Sequence, residues 1–345
     1  MSNLTLEDIA KKAGVSRSTV SRVVNDHQNI SDAVRARVLQ VIKDTGYRPN
    51  AAARTLASQR SFMIGLVLPQ TVSSLFTDPF YPQLLKGISL ACNQYDYTLA
   101  LFLVSSEEDE HKILTRVTNT SLLDGVLVQA GHQGDQSIIG HLIDVGMPQV
   151  VIGRPVRSDN VSFVDIDNIT ATNNAVTYMI RLGYKRIATI TGPLKSTAGI
   201  DRRDGYLKAL VERGIKVDPQ MIAEGDFTEQ GGYLAMQTLL NHRPEAVFAA
   251  SDTMAVGAIR AIQGIGLNVP EDIAVVGFDD IPISTLSDVQ LTTVRQPVNR
   301  LGSHAVELLI DLIEHGTQPP RHIILNSQLV VRSTCGLQST GSVGH

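Results

Sequence analysis

From residue 62 onward, seven short apolar runs, MIGLVL, TLALFLV, GVLVQ, QVVIG, IATIT, AVFAA and IAVVGF, alternate with longer segments of helical periodicity. Runs that stay apolar throughout belong to strands buried on both faces, and such strands need a helix on each side of their sheet. The pattern therefore predicts parallel sheets built from β–α–β units. The 285 residues after position 60 are enough for two ordinary α/β subdomains with sizeable cores. Ligands of open parallel sheets gather beyond the carboxyl ends of the strands. Polar and aromatic residues cluster at those points: Asp78-Pro79-Phe80-Tyr81, Gln129, Arg154, Asp167, Arg202, Asp252 and Asp279-Asp280.

The first 60 residues follow another rule. In TLEDIAKKAGVSRSTVSRVVND, Leu6, Ile9, Ala10 and Ala13 make one apolar stripe on a short helix that Gly14 can end. Ser16 can cap a second helix, whose Val20, Val23 and Val24 turn back onto the first. The opposite face carries Arg17, Ser18, Ser21 and Arg22, side chains suited to base edges in a major groove. Ser31 is placed to cap a third helix, with Val34, Val38, Val41 and Ile42 inward and Thr45-Gly46 at its end. A helical bundle packed on the rest of the chain is the plainer alternative. Charge favours DNA: residues 1–60 hold 10 Lys and Arg against 5 Asp and Glu, whereas the remainder holds 20 against 29. A basic head before an acidic body fits phosphate neutralisation.

Several function classes drop out. No run of about 18 apolar residues is present, and the N-terminus has no apolar signal region, so a cytoplasmic chain without a membrane span is expected. Cys92 and Cys335 have no metal or redox spacing, and His111, His132, His141, His304, His315 and His322 are scattered, so neither metal nor cofactor is expected. The patterns G-x-G-x-x-G, P-loop and G-x-S-x-G are missing, which argues against an enzyme.

The segments LEDIAKKAGVSRSTVSRVVND and GYRPNAAARTLAS, followed by DPFYPQLLKGI, VDIDN, GYKRIATITGP, DRRDGYLKAL, SDTMAVGAIRAI, VPEDIAVVGFDD and LTTVRQP, closely resemble the lactose-repressor/galactose-repressor (LacI/GalR) family. The resemblance covers nearly the whole chain. It implies an all-α helix-turn-helix head joined by a hinge helix to an α/β two-lobed periplasmic-binding-protein-like (type 1) core. The expected head is 1–49 and the hinge helix 50–61. An effector-binding and dimerisation domain would span 62–336, with lobes at about 62–163 plus 295–322 and 164–294 plus 323–336, before a flexible tail at 337–345.

By the same resemblance, the DNA-contacting set would be Thr5, Ser16, Arg17, Ser18, Thr19, Ser21, Arg22 and Asn25 in the head. Asn50, Ala53, Arg54, Leu56 and Ala57 would follow in the hinge, with Leu56 as the wedge that unstacks a central base step. The hinge is too short to be a stable helix alone, so it is expected to fold on binding. The effector contacts implied are Phe80, Tyr81, Gln129, Arg154, Asp167, Arg202, Phe227, Ser251, Asp252 and Asp279. Asp252 and Asp280 have a second reading as helix caps, and the aromatics as core residues.

The partners implied are double-stranded operator DNA, a small-molecule effector, taken to be a sugar such as a glucoside or maltose-type saccharide, and a second copy in a homodimer. No leucine heptads follow Gly336, so a tetramerising helix is not expected. The function implied is a repressor of carbohydrate-utilisation genes released by its sugar. A purine-responsive corepressor system, a sugar-processing enzyme and a secreted sugar-binding protein are the rival readings.

Overall fold

A computed structural model describes residues 4–24, 29–47, 60–69, 71–118, 122–130, 135–157, 160–282, 290–316 and 319–335. They fall into two units, Met1–Ser61 and Phe62–His345.

In the first unit, α1 (Leu6–Ala13), α2 (Arg17–Val24) and α3 (Asp32–Thr45) close around Ile9, Ala10, Ala13, Val20, Val23, Val38 and Tyr47. Thr5 opens α1 with a capping box: its hydroxyl accepts the Asp8 amide, and the Asp8 carboxylate accepts the Thr5 amide at 2.9 Å. Gly14 ends α1 at φ 63°, a left-handed conformation that glycine adopts without steric cost. Ser16 caps α2 by accepting the Thr19 amide at 3.1 Å. Ser31 departs from expectation. It stands at the N-cap of α3, but its side chain makes no capping bond, and its backbone carbonyl takes the Val34 and Arg35 amides instead.

The second unit holds two six-stranded sheets. Strands β1 (Met63–Leu68), β2 (Thr98–Leu103), β3 (Gly125–Gln129), β4 (Gln149–Ile152), β5 (Ser162–Ile166) and β11 (His322–Leu325) form the first, in the order β11-β5-β4-β3-β1-β2 and all parallel. The second contains β6 (Ile187–Thr191), β7 (Ile222–Glu224), β8 (Ala246–Ala249), β9 (Ala274–Asp279), β10 (Thr292–Arg295) and β12 (Gln328–Val330), in the order β12-β10-β9-β8-β6-β7. Only its edge strand β12 runs antiparallel, against β10.

The two lobes differ in how their cores divide. Alternate residues of the first sheet face opposite ways. Ile64, Leu66, Leu127, Val150 and Ile152 pack on the helices Phe80–Gln94 and Val298–His315, whereas Val67, Val126, Val128 and Val151 pack on Glu107–Thr118 and Asp135–Asp144. The helices Phe80–Gln94 and Val298–His315 approach backbone to backbone. A Cβ on Gly87 would stand 2.1 Å from the Asn299 carbonyl oxygen, and one on Gly302 would stand 2.8 Å from that of Leu84. The second lobe has one continuous core, from Ala171 and Met179 through Ile190, Phe248 and Phe278 to Cys335. Cys92 and Cys335 are buried free thiols, which burial pushes up to about 11 and about 12 respectively.

The chain crosses between sheets after Ile166, Arg295 and Leu325, a few residues later than the boundaries read from sequence at 163/164, 294/295 and 322/323. Strands β5 and β11 pair along their whole length inside the first lobe, so neither is divided. All seven apolar runs coincide with strands; β5, β7, β10, β11 and β12 lie outside them.

Candidate functional site

On α2, burial of Val20 and Val23 leaves Arg17, Ser18 and Arg22 exposed and Thr19 and Ser21 half-buried. The Ser16 hydroxyl is hydrogen-bonded to Ser18 at 2.7 Å and to Thr19 at 2.8 Å, which fixes the start of this face. Arg17 lies 3.9 Å from Glu7 in an exposed ion pair of little strength, so its guanidinium is easily redirected. Thr5 is exposed at the start of α1. Asn25, Asn50, Ala53, Arg54, Leu56 and Ala57 lie outside the described residues.

In the second unit, charged groups from both lobes meet at the carboxyl ends of the strands. Arg202, on the helix Thr197–Val211, is buried and held from several sides. Its Nε donates to Asn168 Oδ1 at 2.9 Å and its Nη1 to the Ala250 carbonyl at 2.5 Å. Its plane lies 3.8 Å over the Phe278 ring, and Asp279 Oδ1 stands 3.6 Å from Nη1. Phe227 adds a second ring at 5.9 Å. That residue has φ 65°, uncommon for a side chain of its size, and its ring covers Gly192 just beyond β6. A Cβ on Gly192 would meet the ring at 2.2 Å. Asp279 is also in a left-handed conformation, at φ 126°, and accepts from the side-chain amide of Gln296.

One ion pair bridges the lobes. Arg154, just beyond β4, donates through Nε and Nη2 to Asp201 at 3.1 and 2.5 Å. Its carbonyl also accepts the Thr197 hydroxyl at 2.5 Å.

Burial dominates the titration of this cluster. It raises Asp279 to about 7, against the opposing pull of Arg202, and Asp165 to about 6, where Asp201 adds a further push. Asp252 is held well above the ordinary carboxylate range by burial and by Asp279. Asp78 is raised by burial despite the Phe80 amide and Arg202. Arg202 is itself lowered by burial, whereas the bonds to Asp201 raise Arg154.

Of the ten effector positions expected from sequence, Arg154, Arg202, Phe227 and Asp279 join this cluster directly. Phe80 stands beside it on the first lobe, half-buried and following Asp78, and Gln129 ends β3 with a buried Oε1 that has no hydrogen-bond partner. The other four are placed differently. Tyr81 is buried in the first lobe's core, edge-on to Phe80 at 5.5 Å. Asp167 is exposed and caps the helix Asn168–Arg181 by accepting the Thr170 amide at 2.9 Å. Ser251, not Asp252, caps the helix Asp252–Gly264. Asp252 has no exposed surface, because its carboxylate is taken by the Ile281 amide at 3.0 Å and the Thr293 hydroxyl at 2.5 Å. Asp280 binds Arg295 and Arg332, each at 2.5 Å, and the segment 283–289, which the sequence reading has it cap, lies outside the described residues.

Sequence reasoning did not single out Asp165, Asn168, Asp201 or Gln296 as site residues. Asp165, Asn168 and Asp201 stand within the quoted segments VDIDN and DRRDGYLKAL. Among the described residues, no group of His, Cys, Asp and Glu has the arrangement of a metal site, and no helix is long and apolar enough to cross a membrane.

Comparison with known proteins places both units. Residues 5–50 match the family described as bacterial regulatory proteins, lacI family, and residues 176–335 match a periplasmic binding protein-like domain. The chain is 39% identical over 334 residues to the HTH-type transcriptional regulator CelR of Thermobifida fusca, covering 96% of this chain and 98% of the relative. It is 34% identical to the ribose operon repressor of Escherichia coli K12, covering 96% and 99%. Among solved structures it is similar to a transcriptional regulator CelR–cellobiose complex, with TM-score 0.77, 36% identity and coverage of 96% and 99%. It is also similar to a lac repressor dimer bound to operator and an anti-inducer, with TM-score 0.84, 28% identity and coverage of 97% and 99%. With a three-helix head, a two-lobed α/β body and relatives that match from end to end, this chain belongs to the LacI/GalR family of transcriptional regulators.

Proposed function

We propose that the protein is a sequence-specific repressor of carbohydrate-utilisation genes that leaves its operator when a small sugar binds between the lobes of its body. The observation that carries this reading is the buried Arg202, flanked by Asp279 and Asn168 and faced by Phe227. Guanidinium and carboxylate groups grip vicinal hydroxyls through charge-assisted bonds, and an aromatic face covers the apolar side of a sugar ring. The CelR–cellobiose complex supports the sugar, and the operator-bound lac repressor dimer supports the DNA partner and the paired state.

In this reading Arg17, Ser18 and Arg22 meet base edges, while Thr5, Ser16, Thr19 and Ser21 support them at the backbone and groove wall. Asn25 adds to the contact from the head, and Asn50, Ala53, Arg54, Leu56 and Ala57 extend it through the hinge. A homodimer sets two recognition helices in successive major grooves of a near-palindromic site. The effector is held by Phe80, Gln129 and Arg154 from one lobe and Arg202, Phe227 and Asp279 from the other. Tyr81, Asp167, Ser251 and Asp252 shape this site from behind. Binding changes the lobe angle, and a coupling of about 1–3 kcal/mol suffices to switch DNA affinity. Such a role places the chain in the cytoplasm with its DNA, and assigns it neither reaction nor cofactor.

Replacing Arg17 or Arg22 with alanine tests the DNA half. Each is expected to lower discrimination of the preferred site by about 1–3 kcal/mol, read as a competition titration against non-specific duplex at fixed salt. Unchanged discrimination in both variants rejects this face as the reader.

A further inference from the structure

Five carboxylates surround the cleft's two guanidinium groups: Asp78 and Asp165 from the first lobe, and Asp201, Asp252 and Asp279 from the second. Arg154 neutralises Asp201, and Arg202 stands against Asp279. Among the described residues, no cation lies within ion-pair distance of Asp78, Asp165 or Asp252. The free hydrogen-bonding capacity leans the same way. A carboxylate offers about four acceptor positions. Asp78 fills one with the Phe80 amide at 2.9 Å, whereas Asp165 takes the Ile166 and Arg154 backbone amides besides the Asn168 side-chain amide at a long 3.4 Å. Gln129 Oε1, a further acceptor, is buried with none filled. Arg202 commits Nε and Nη1, and Arg154 commits Nε and Nη2, to protein acceptors.

We infer that the cleft selects its effector by charge, taking neutral or amino sugars and excluding phosphorylated or carboxylated forms of the same sugars. The inference rests on the sugar-effector reading above. A hydroxyl or ammonium group donates into carboxylates already in place. A phosphate dianion brings only acceptors and adds like charge to a desolvated cluster that already sheds charge by holding protons on Asp165 and Asp279.

Calorimetric titration of the full chain at fixed pH and salt, with glucose, cellobiose, maltose, ribose, glucosamine, glucose 6-phosphate, ribose 5-phosphate and glucuronate, tests this. At least one neutral or amino sugar is expected to bind, with phosphorylated or oxidised counterparts at least 100-fold weaker. At pH 8, where Asp165 has lost the proton it holds below about 6, Asp78→Asn and Asp165→Asn, near-isosteric and checked for an intact melting transition, are each expected to narrow that gap about tenfold by removing a charge. A phosphorylated sugar that binds as well as its parent overturns the selectivity and leaves the sugar reading standing. A gap unchanged in both variants also overturns it, because the carboxylates are then not its source. Failure of every saccharide to bind overturns the sugar reading and the inference together.

Discussion

The two lobes share one strand order but hold several of their cleft residues differently. In the second lobe Arg202, Asp252 and Asp279 are at most 8% exposed, and each is fixed by bonds to neighbouring strands and helices of its own sheet. In the first lobe Phe80, Gln129 and Arg154 are only half-buried, and Arg154 is held by the opposite lobe rather than its own. A single continuous core behind the second sheet supports that rigidity, whereas the first lobe divides its core between the two faces of its sheet. In the proposed function the second lobe would then supply the more firmly held contacts and the first the more exposed ones. This division suits a switch, because a ligand moves an equilibrium only through contacts that differ between states.

The largest effect separating the lobes is expected from Arg202→Met, which strands Asp279, Asn168 Oδ1 and the Ala250 carbonyl in the interior. Removing one partner of such a buried set costs about 3–5 kcal/mol, read as a lowered denaturation midpoint together with loss of saccharide binding. A stability loss below about 1 kcal/mol would show that the second lobe is not held together at this point.

Gly87→Ala should come next, at about 1–3 kcal/mol, because its methyl group would press on the Asn299 carbonyl between two helices of the first lobe. Saccharide affinity measured on the folded fraction is expected to stay within about twofold, since the strain lies behind the sheet.

Acidity then probes one carboxylate in each lobe. Asp165 and Asp279 titrate near 6 and 7 in the folded chain against an ordinary value of 3.8, so the folded state binds the additional protons. Their contribution is fully present below about 4 and is lost as pH rises through 6 and 7. The body is therefore expected to melt at a higher temperature at pH 5 than at pH 8, and Asp165→Asn with Asp279→Asn is expected to flatten that slope in calorimetry. The groups held low, such as Asp280 and Glu245, act only at more acid pH and do not mask it. An equal slope in the double variant would assign the dependence elsewhere.

The smallest effect belongs to Arg154→Gln. Its side chain is 37% exposed, so loss of the bond to Asp201 should cost about 1 kcal/mol or less in stability while shifting the lobe equilibrium measurably in small-angle scattering. A loss as large as that of Arg202→Met would erase the contrast between the lobes.

Legibility in the sequence followed the same physics. Strands buried on both faces announce themselves as apolar runs, which is why β1, β3, β4, β6, β8 and β9 are readable; the edge strand β2 is apolar in sequence although none of its residues is buried. Strand β5 carries Ser162 and Asp165, and β10 carries Thr292 and Thr293 facing polar partners, so neither reads as a buried strand. The site residues split likewise. Asp279 ends β9, where position alone is informative, whereas Arg202 lies inside the helix Thr197–Val211 and is marked by the DRRDGYLKAL segment. Asp165 and Asp167 differ by two residues and would share a face if β5 continued, but it ends at Ile166. One aspartate is thereby buried near the cleft and the other becomes a helix cap. Ser251 and Asp252 are equally good caps on paper, and only the Ile281 amide and the Thr293 hydroxyl, 29 and 41 residues away, decide between them.

Coupling between the cleft and the recognition helix is read by titrating the full chain against a library of near-palindromic duplexes at fixed salt, with and without neutral saccharides, cellobiose among them. Sequence-specific binding that a saccharide weakens at least tenfold is expected. Binding that is indifferent to duplex sequence, or specific binding that no saccharide alters, would contradict it.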